Sequence, residues 1–95
     1  MSYKKKGKTA DISISGDLIN EGSSDFVANM DELIKDGAKR FNIDLSGVKF
    51  IDSYSLSMLI IYCDKPDLEF LFRNVSIPVK NIFDITRLDK RVIFE

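Results

Sequence analysis

The succession of hydrophobic patterns along this chain predicts an α/β fold: a mixed, largely parallel β-sheet of four to five strands with three to four helices packed on it. Three observations carry that prediction. Stretches of period-two alternation (Ala10, Ile12, Ile14; Phe41, Ile43, Leu45) are interleaved with stretches of helical spacing (Phe26, Met30, Leu33, Ile34; Leu56, Leu59, Ile60, Cys63). Turn and cap residues separate them, at Gly16-Asp17, Gly37, Ser46-Gly47, Pro66 and Pro78. The resulting order, β-β-α-β-α-β-α-β, is the kind that joins parallel strands through right-handed helical crossovers.

Taken in order, residues 2–6 form a weak strand, polar on both sides, whose lysines (Lys4, Lys5, Lys6, with Lys8 after the turn at Gly7) suit a solvated edge. A better strand follows, with Ala10, Ile12 and Ile14 alternating against Asp11, Ser13 and Ser15. Gly22, Ser23 and Ser24 supply helix-start chemistry, Asp25 favours the first turn, and Gly37 closes that helix as a C′ residue. The third strand spans about 40–45. From Ser53 a second helix carries the stripe Leu56, Leu59, Ile60 and Cys63, ending near 63 or 64 because Pro66 disfavours helical geometry at Lys65. Leu68 to Phe72 is nearly continuous apolar and reads as a central strand buried on both sides. Pro78, at an N1 position, opens a short helix with Val79, Ile82 and Phe83 inward, and residues 91–94 form a last strand.

A chain of 95 residues predicts one domain, 1–95, with one modest core. With 44% hydrophobic and 31% charged residues it has a globular composition, and a formal net charge of −1 offers no field to attract nucleic acid or an anionic membrane. No apolar run approaches the roughly 20 residues that span a bilayer, so no direct membrane insertion is expected. A single cysteine, Cys63, excludes an internal disulfide framework and fits a reducing, cytoplasmic setting; on an apolar stripe it reads as a small core residue. Histidine is absent, which removes the commonest neutral-pH base and zinc ligand. With no Gly-rich phosphate loop, CxxC pair or calcium loop either, no catalytic residue, metal or cofactor is expected.

The candidate site is the strand–turn–helix unit of residues 44–56. Ser53 follows Asp52 at the junction with the second helix, where a hydroxyl can cap the helix and where added negative charge is best tolerated. Such a unit can serve as a phosphorylation switch; the plainer alternative is that Ser53 is only an N-cap. The outward residues of the helix, Tyr54, Ser57, Met58 and Ile61, carry more apolar area than a solvated face usually shows.

The spelling of this unit, Asp44-Leu45-Ser46-Gly47-Val48-Lys49-Phe50-Ile51-Asp52-Ser53, resembles the strand and loop before the phosphoacceptor of the STAS domain family. Gly16-Asp17-Leu18 resembles the family's Gly-Glu-Leu, and Phe83-Asp84-Ile85-Thr86-Arg87-Leu88 is similar to the Phe-Asp-x-Ser/Thr-Gly-Leu after its third helix. The resemblance, strongest to the anti-sigma factor antagonist type, covers roughly residues 8–95. It implies a STAS-like sheet and no enzyme activity. It also implies a phosphoacceptor at Ser53, an anti-sigma factor serine kinase as partner when Ser53 is unphosphorylated, and a serine phosphatase that resets the switch. The implied partner-binding residues are Asp52, Ser53, Tyr54, Ser55, Ser57 and Met58, with Asp17, Ile19 and Glu21 from the preceding loop; Ser55 and Ser57 are the secondary phosphoacceptors. The family's Asp-Ser-Ser/Thr-Gly-Leu is here Asp52-Ser53-Tyr54-Ser55-Leu56, which puts a side chain at Ser55 where a partner would approach bare backbone. The acidic residue that usually follows Gly-Glu-Leu is here Ile19, with Glu21 displaced. A second reading is therefore a STAS adaptor subunit of a larger assembly, such as a lipid-transport ATPase complex or a sensory scaffold, whose loop docks without being phosphorylated. Carboxylate chemistry by Asp52 with Asp44 or Asp84 ranks last, for want of metal-ligand spacing.

Overall fold

Strands pair in the order of the sequence. The computed structural model describes residues 1–95 and contains β1 (Ser2–Lys6), β2 (Thr9–Ser13), α1 (Asn20–Lys35), β3 (Arg40–Asp44), α2 (Ser53–Cys63), β4 (Glu69–Arg73), α3 (Ile77–Ile85), a 3-10 turn (Leu88–Lys90) and β5 (Ile93–Phe94). One sheet runs β1-β2-β3-β4-β5. β1 lies antiparallel on β2, with Lys4 opposite Asp11, and every later pairing is parallel. The expected mixed, largely parallel sheet with helices on it is therefore present.

A monotonic strand order with right-handed crossovers puts successive helices on the same side of a sheet. Burial follows that rule. Ala10, Ile12, Phe41, Ile43, Phe70 and Phe72 face the helices and are buried, while Thr9, Asp11, Arg40, Asn42, Glu69, Leu71 and Arg73 face outward. This corrects the expectation that residues 68–72 are buried on both sides. β3 is the middle strand, and the outer face of β4 carries Glu69 and Arg73 in exposed ion pairs with Arg40 and Glu95. Exposed pairs of this kind contribute little to stability.

Twenty-one buried residues form the core between sheet and helices. Aromatic rings run through it: Phe41 stacks on Phe70 at 4.9 Å between centroids, and Phe72 meets Phe83 of α3 at 5.2 Å. Gly37 follows α1 with φ 94°, the left-handed C′ geometry its sequence position predicts. Gly47 is required for a different reason. A Cβ there would sit 2.8–2.9 Å from the backbone of Ser15 and Ile14, so only glycine lets the turn after β3 lie against the end of β2.

Helix starts depart most from expectation. α1 begins at Asn20, not near Ser23, and its N-cap residue Ile19 supplies no side-chain cap. Asn20 adopts a left-handed φ of 49°, a conformation asparagine tolerates better than most residues. In α3 Pro78 is the second helical residue, one later than expected, and Ser76 donates its hydroxyl to Val48 O at 3.0 Å and makes no side-chain cap bond.

Candidate functional site

Three parallel βα units bring the starts of α1, α2 and α3 to the same edge of the sheet, beyond the C-terminal ends of β2, β3 and β4. The chain after β2 runs beside the chain before α2. Leu18 N–H donates to Phe50 O at 3.0 Å, Asp52 N–H donates to Leu18 O at 2.8 Å, and Leu18 and Ile51 form a parallel bridge. Leu18 is buried by this pairing, and its neighbours Ile19 and Phe50 are left on the surface.

Asp52, not Ser53, caps α2. Its Oδ1 accepts from the backbone N–H of Ser55 at 2.9 Å and from the Ser23 hydroxyl at 2.8 Å, and its Oδ2 accepts from Asn20 N–H at 3.2 Å. One carboxylate thus serves the first turns of two helices, and this contact, not a local signal, starts α1 at Asn20. The Ser55 amide, with further donation from the Ser23 hydroxyl and the Asn20 amide, holds the Asp52 carboxyl below the usual carboxylate range against the opposing effect of partial burial.

Ser53 is then the first helical residue of α2. It is exposed, and its hydroxyl takes no part in the hydrogen bonds around it. The cap role that sequence offered Ser53 is filled by its neighbour. Tyr54 is 49% and Phe50 64% exposed beside it, with Ile19 at 40% on the adjoining loop. Glu21 is exposed in the first turn of α1, and Ser57 is exposed one turn further along α2. No concavity of the structure includes Ser53. The largest, about 650 Å³, lies on the open sheet face among residues such as Lys4, Asp11, Asn42 and Arg73. Ser53 therefore lies on open surface and not in an enclosed ligand cavity.

Three expected partner contacts are placed differently. Ser55 is fully buried (0% exposed), its hydroxyl against that of Ser23, so its side chain adds no bulk on the approach side and presents no free hydroxyl for modification. Met58 is half-buried and packs on the core, because the buried stripe of α2 is Ser55, Leu59 and Tyr62, with Leu56, Ile60 and Cys63 on its flank. α2 is apolar nearly all round, which leaves spacing unable to choose between neighbouring stripes. Asp17 turns inward as well: Oδ1 accepts from the N–H groups of Lys49 (2.8 Å) and Phe50 (3.1 Å) and shapes the loop.

Sequence reasoning missed Ser23 and Phe50. Ser23 lies three and four residues before Phe26 and Val27, on the stripe that continues to Met30 and Leu33, and that spacing was the available sign of its burial (1% exposed). Asp44 closes the turn after β3 on Ser46 N–H at 2.9 Å and accepts from Asn74 at 3.2 Å. Burial pushes the Cys63 thiol up to about 12, away from nucleophilic use. No group of three acidic, cysteine or histidine side chains is placed to hold a metal ion, and no helix is long and apolar enough to cross a membrane.

A family model described as "Mlab, STAS domain" matches residues 1–95. No curated protein matches the sequence. Among solved structures the chain is similar to the anti-sigma factor antagonist SpoIIAA in its unphosphorylated form, with a TM-score of 0.81 and 14% identity, over 99% of this chain and 86% of that one. At that identity the likeness is one of fold.

Proposed function

Because this chain belongs to the STAS domain family, we propose that it is an anti-sigma factor antagonist that works by phosphorylation-controlled partner switching at Ser53. The observation that carries the proposal is the Ser53 hydroxyl, exposed and unbonded at the first position of α2 while Asp52 does the capping. A serine with no internal work is free to be modified without loss to the fold. In its unmodified form the surface of Ser53, Tyr54, Phe50 and Ile19, with Glu21 and Ser57 at its margin, receives an anti-sigma factor serine kinase. A phosphoryl group adds about −1.5 to −2 charges. The positive end of the α2 dipole tolerates that charge. A partner packed over Ser53 would have to desolvate it beside the Asp52 carboxylate, so the complex is lost while the domain stays folded. A serine phosphatase restores the binding form.

The test is incubation of the protein with candidate serine kinases and ATP, followed by intact mass measurement and phosphosite mapping. Phosphate on Ser53, absent from Ser53→Ala, supports the proposal; an unmodified protein in the presence of an active, binding kinase opposes it.

A second reading, a STAS adaptor subunit that docks without phosphorylation, is favoured by Ile19 and by the apolar exposure of Phe50 and Tyr54. Tight complex formation with an ATPase or transporter subunit, unchanged by Ser53→Asp, would establish it in place of the first.

A further inference from the structure

Two buried hydroxyls meet beneath the candidate site, and their protons can be assigned. Ser55 is the third helical residue of α2, from which a side chain often turns back onto the N–H of the cap residue. Here that N–H is already donated to Leu18 O, and the Ser55 side chain turns inward to Ser23. The single hydroxyl proton of Ser23 is directed at the Asp52 carboxylate, which accepts only. Ser55 must therefore donate to Ser23, and the three groups form a directed chain from Ser55 through Ser23 to Asp52.

Resting on the reading of Ser53 as the point of contact and modification, we propose that Ser23 and Ser55 are positioning residues for it. Their hydroxyl chain locks the first turn of α1 to the first turn of α2, so that Ser53, Ile19 and Glu21 are presented as one rigid recognition surface. The lock is asymmetric. Loss of the Ser23 hydroxyl strands a buried donor at Ser55 and removes one of the three bonds to Asp52. Loss of the Ser55 hydroxyl leaves Ser23 and Asp52 still joined. An unpaired buried hydroxyl is worse than none, so Ser55→Ala should relieve the defect of Ser23→Ala.

Amide hydrogen exchange on the full chain, followed by NMR, tests this. In Ser23→Ala the amides of Asn20 and Ser55 should exchange roughly tenfold faster or more, while those of Ile43 and Phe72 keep their wild-type rates. Ser23→Thr, which keeps the hydroxyl, should exchange like wild type, and the double variant Ser23→Ala/Ser55→Ala should lie closer to wild type than Ser23→Ala alone. A uniform rise over all amides, or a double variant worse than either single one, overturns the lock. The kinase assay reads Ser53 independently, so an unmodified Ser53 beside the expected exchange pattern refutes the functional reading and not the hydroxyl chain.

Discussion

Asp52 receives hydrogen bonds from Asn20, Ser23 and Ser55, and Asp44 from Ser46 and Asn74, and both carboxyls titrate below their ordinary range. For each, the amide bond is the first cause, from Ser55 and from Ser46 respectively. A carboxylate with a depressed folded-state pKa contributes stability that is fully present above its unfolded value, about 3.9, and is lost as pH falls through the folded value. Urea denaturation should thus show near-constant stability from about pH 7 to 5 and a fall below about pH 4. Asp52→Asn and Asp44→Asn should begin lower at neutral pH and lose less on acidification. Gly47 makes a prediction of a different kind. Since a Cβ there meets the Ser15 backbone, Gly47→Ala should cost about 1–3 kcal/mol by the same denaturation measurement, whereas exposed loop positions tolerate alanine.

At the scale of the element, the first turn of α2 separates support from signal between adjacent residues. Asp52 holds the turn; Ser53 is left to solvent. Ser53→Asp places charge at a helix N-terminus, where it is tolerated. Its unfolding free energy should stay within ~0.5 kcal/mol of wild type. Its affinity for the cognate kinase, measured by calorimetry, should fall at least roughly tenfold. The boundaries of α2 were legible because Asp52-Ser53 is strong start chemistry and Pro66 a strong stop. Its buried stripe was not, since a helix apolar on nearly every side can be rotated by one residue without violating any pattern. The start of α1 was illegible for the opposite reason. Its capping oxygen belongs to Asp52, 32 residues away, and no local window contains it.

At the scale of the whole molecule, one core carries the edge on which the site is built. Phe72 is fully buried, touching the rings of Phe70, Phe83 and Phe94 from β4, α3 and β5. Phe72→Ala should cost about 3–5 kcal/mol in urea denaturation, enough to threaten a domain of this size. Strand alternation, helix spacing and turn residues were sufficient to predict the mixed sheet, its helices and the position of the Asp52-Ser53 junction, because each is set by side-chain periodicity within a few residues of chain. The one-sided placement of the helices, the inward turn of Asp17 and Ser55, and the hydroxyl chain that leaves Ser53 exposed came only with the tertiary structure. The first follows from strand order and crossover hand, and the others depend on which distant groups arrive to donate or accept a hydrogen bond; a linear pattern contains neither.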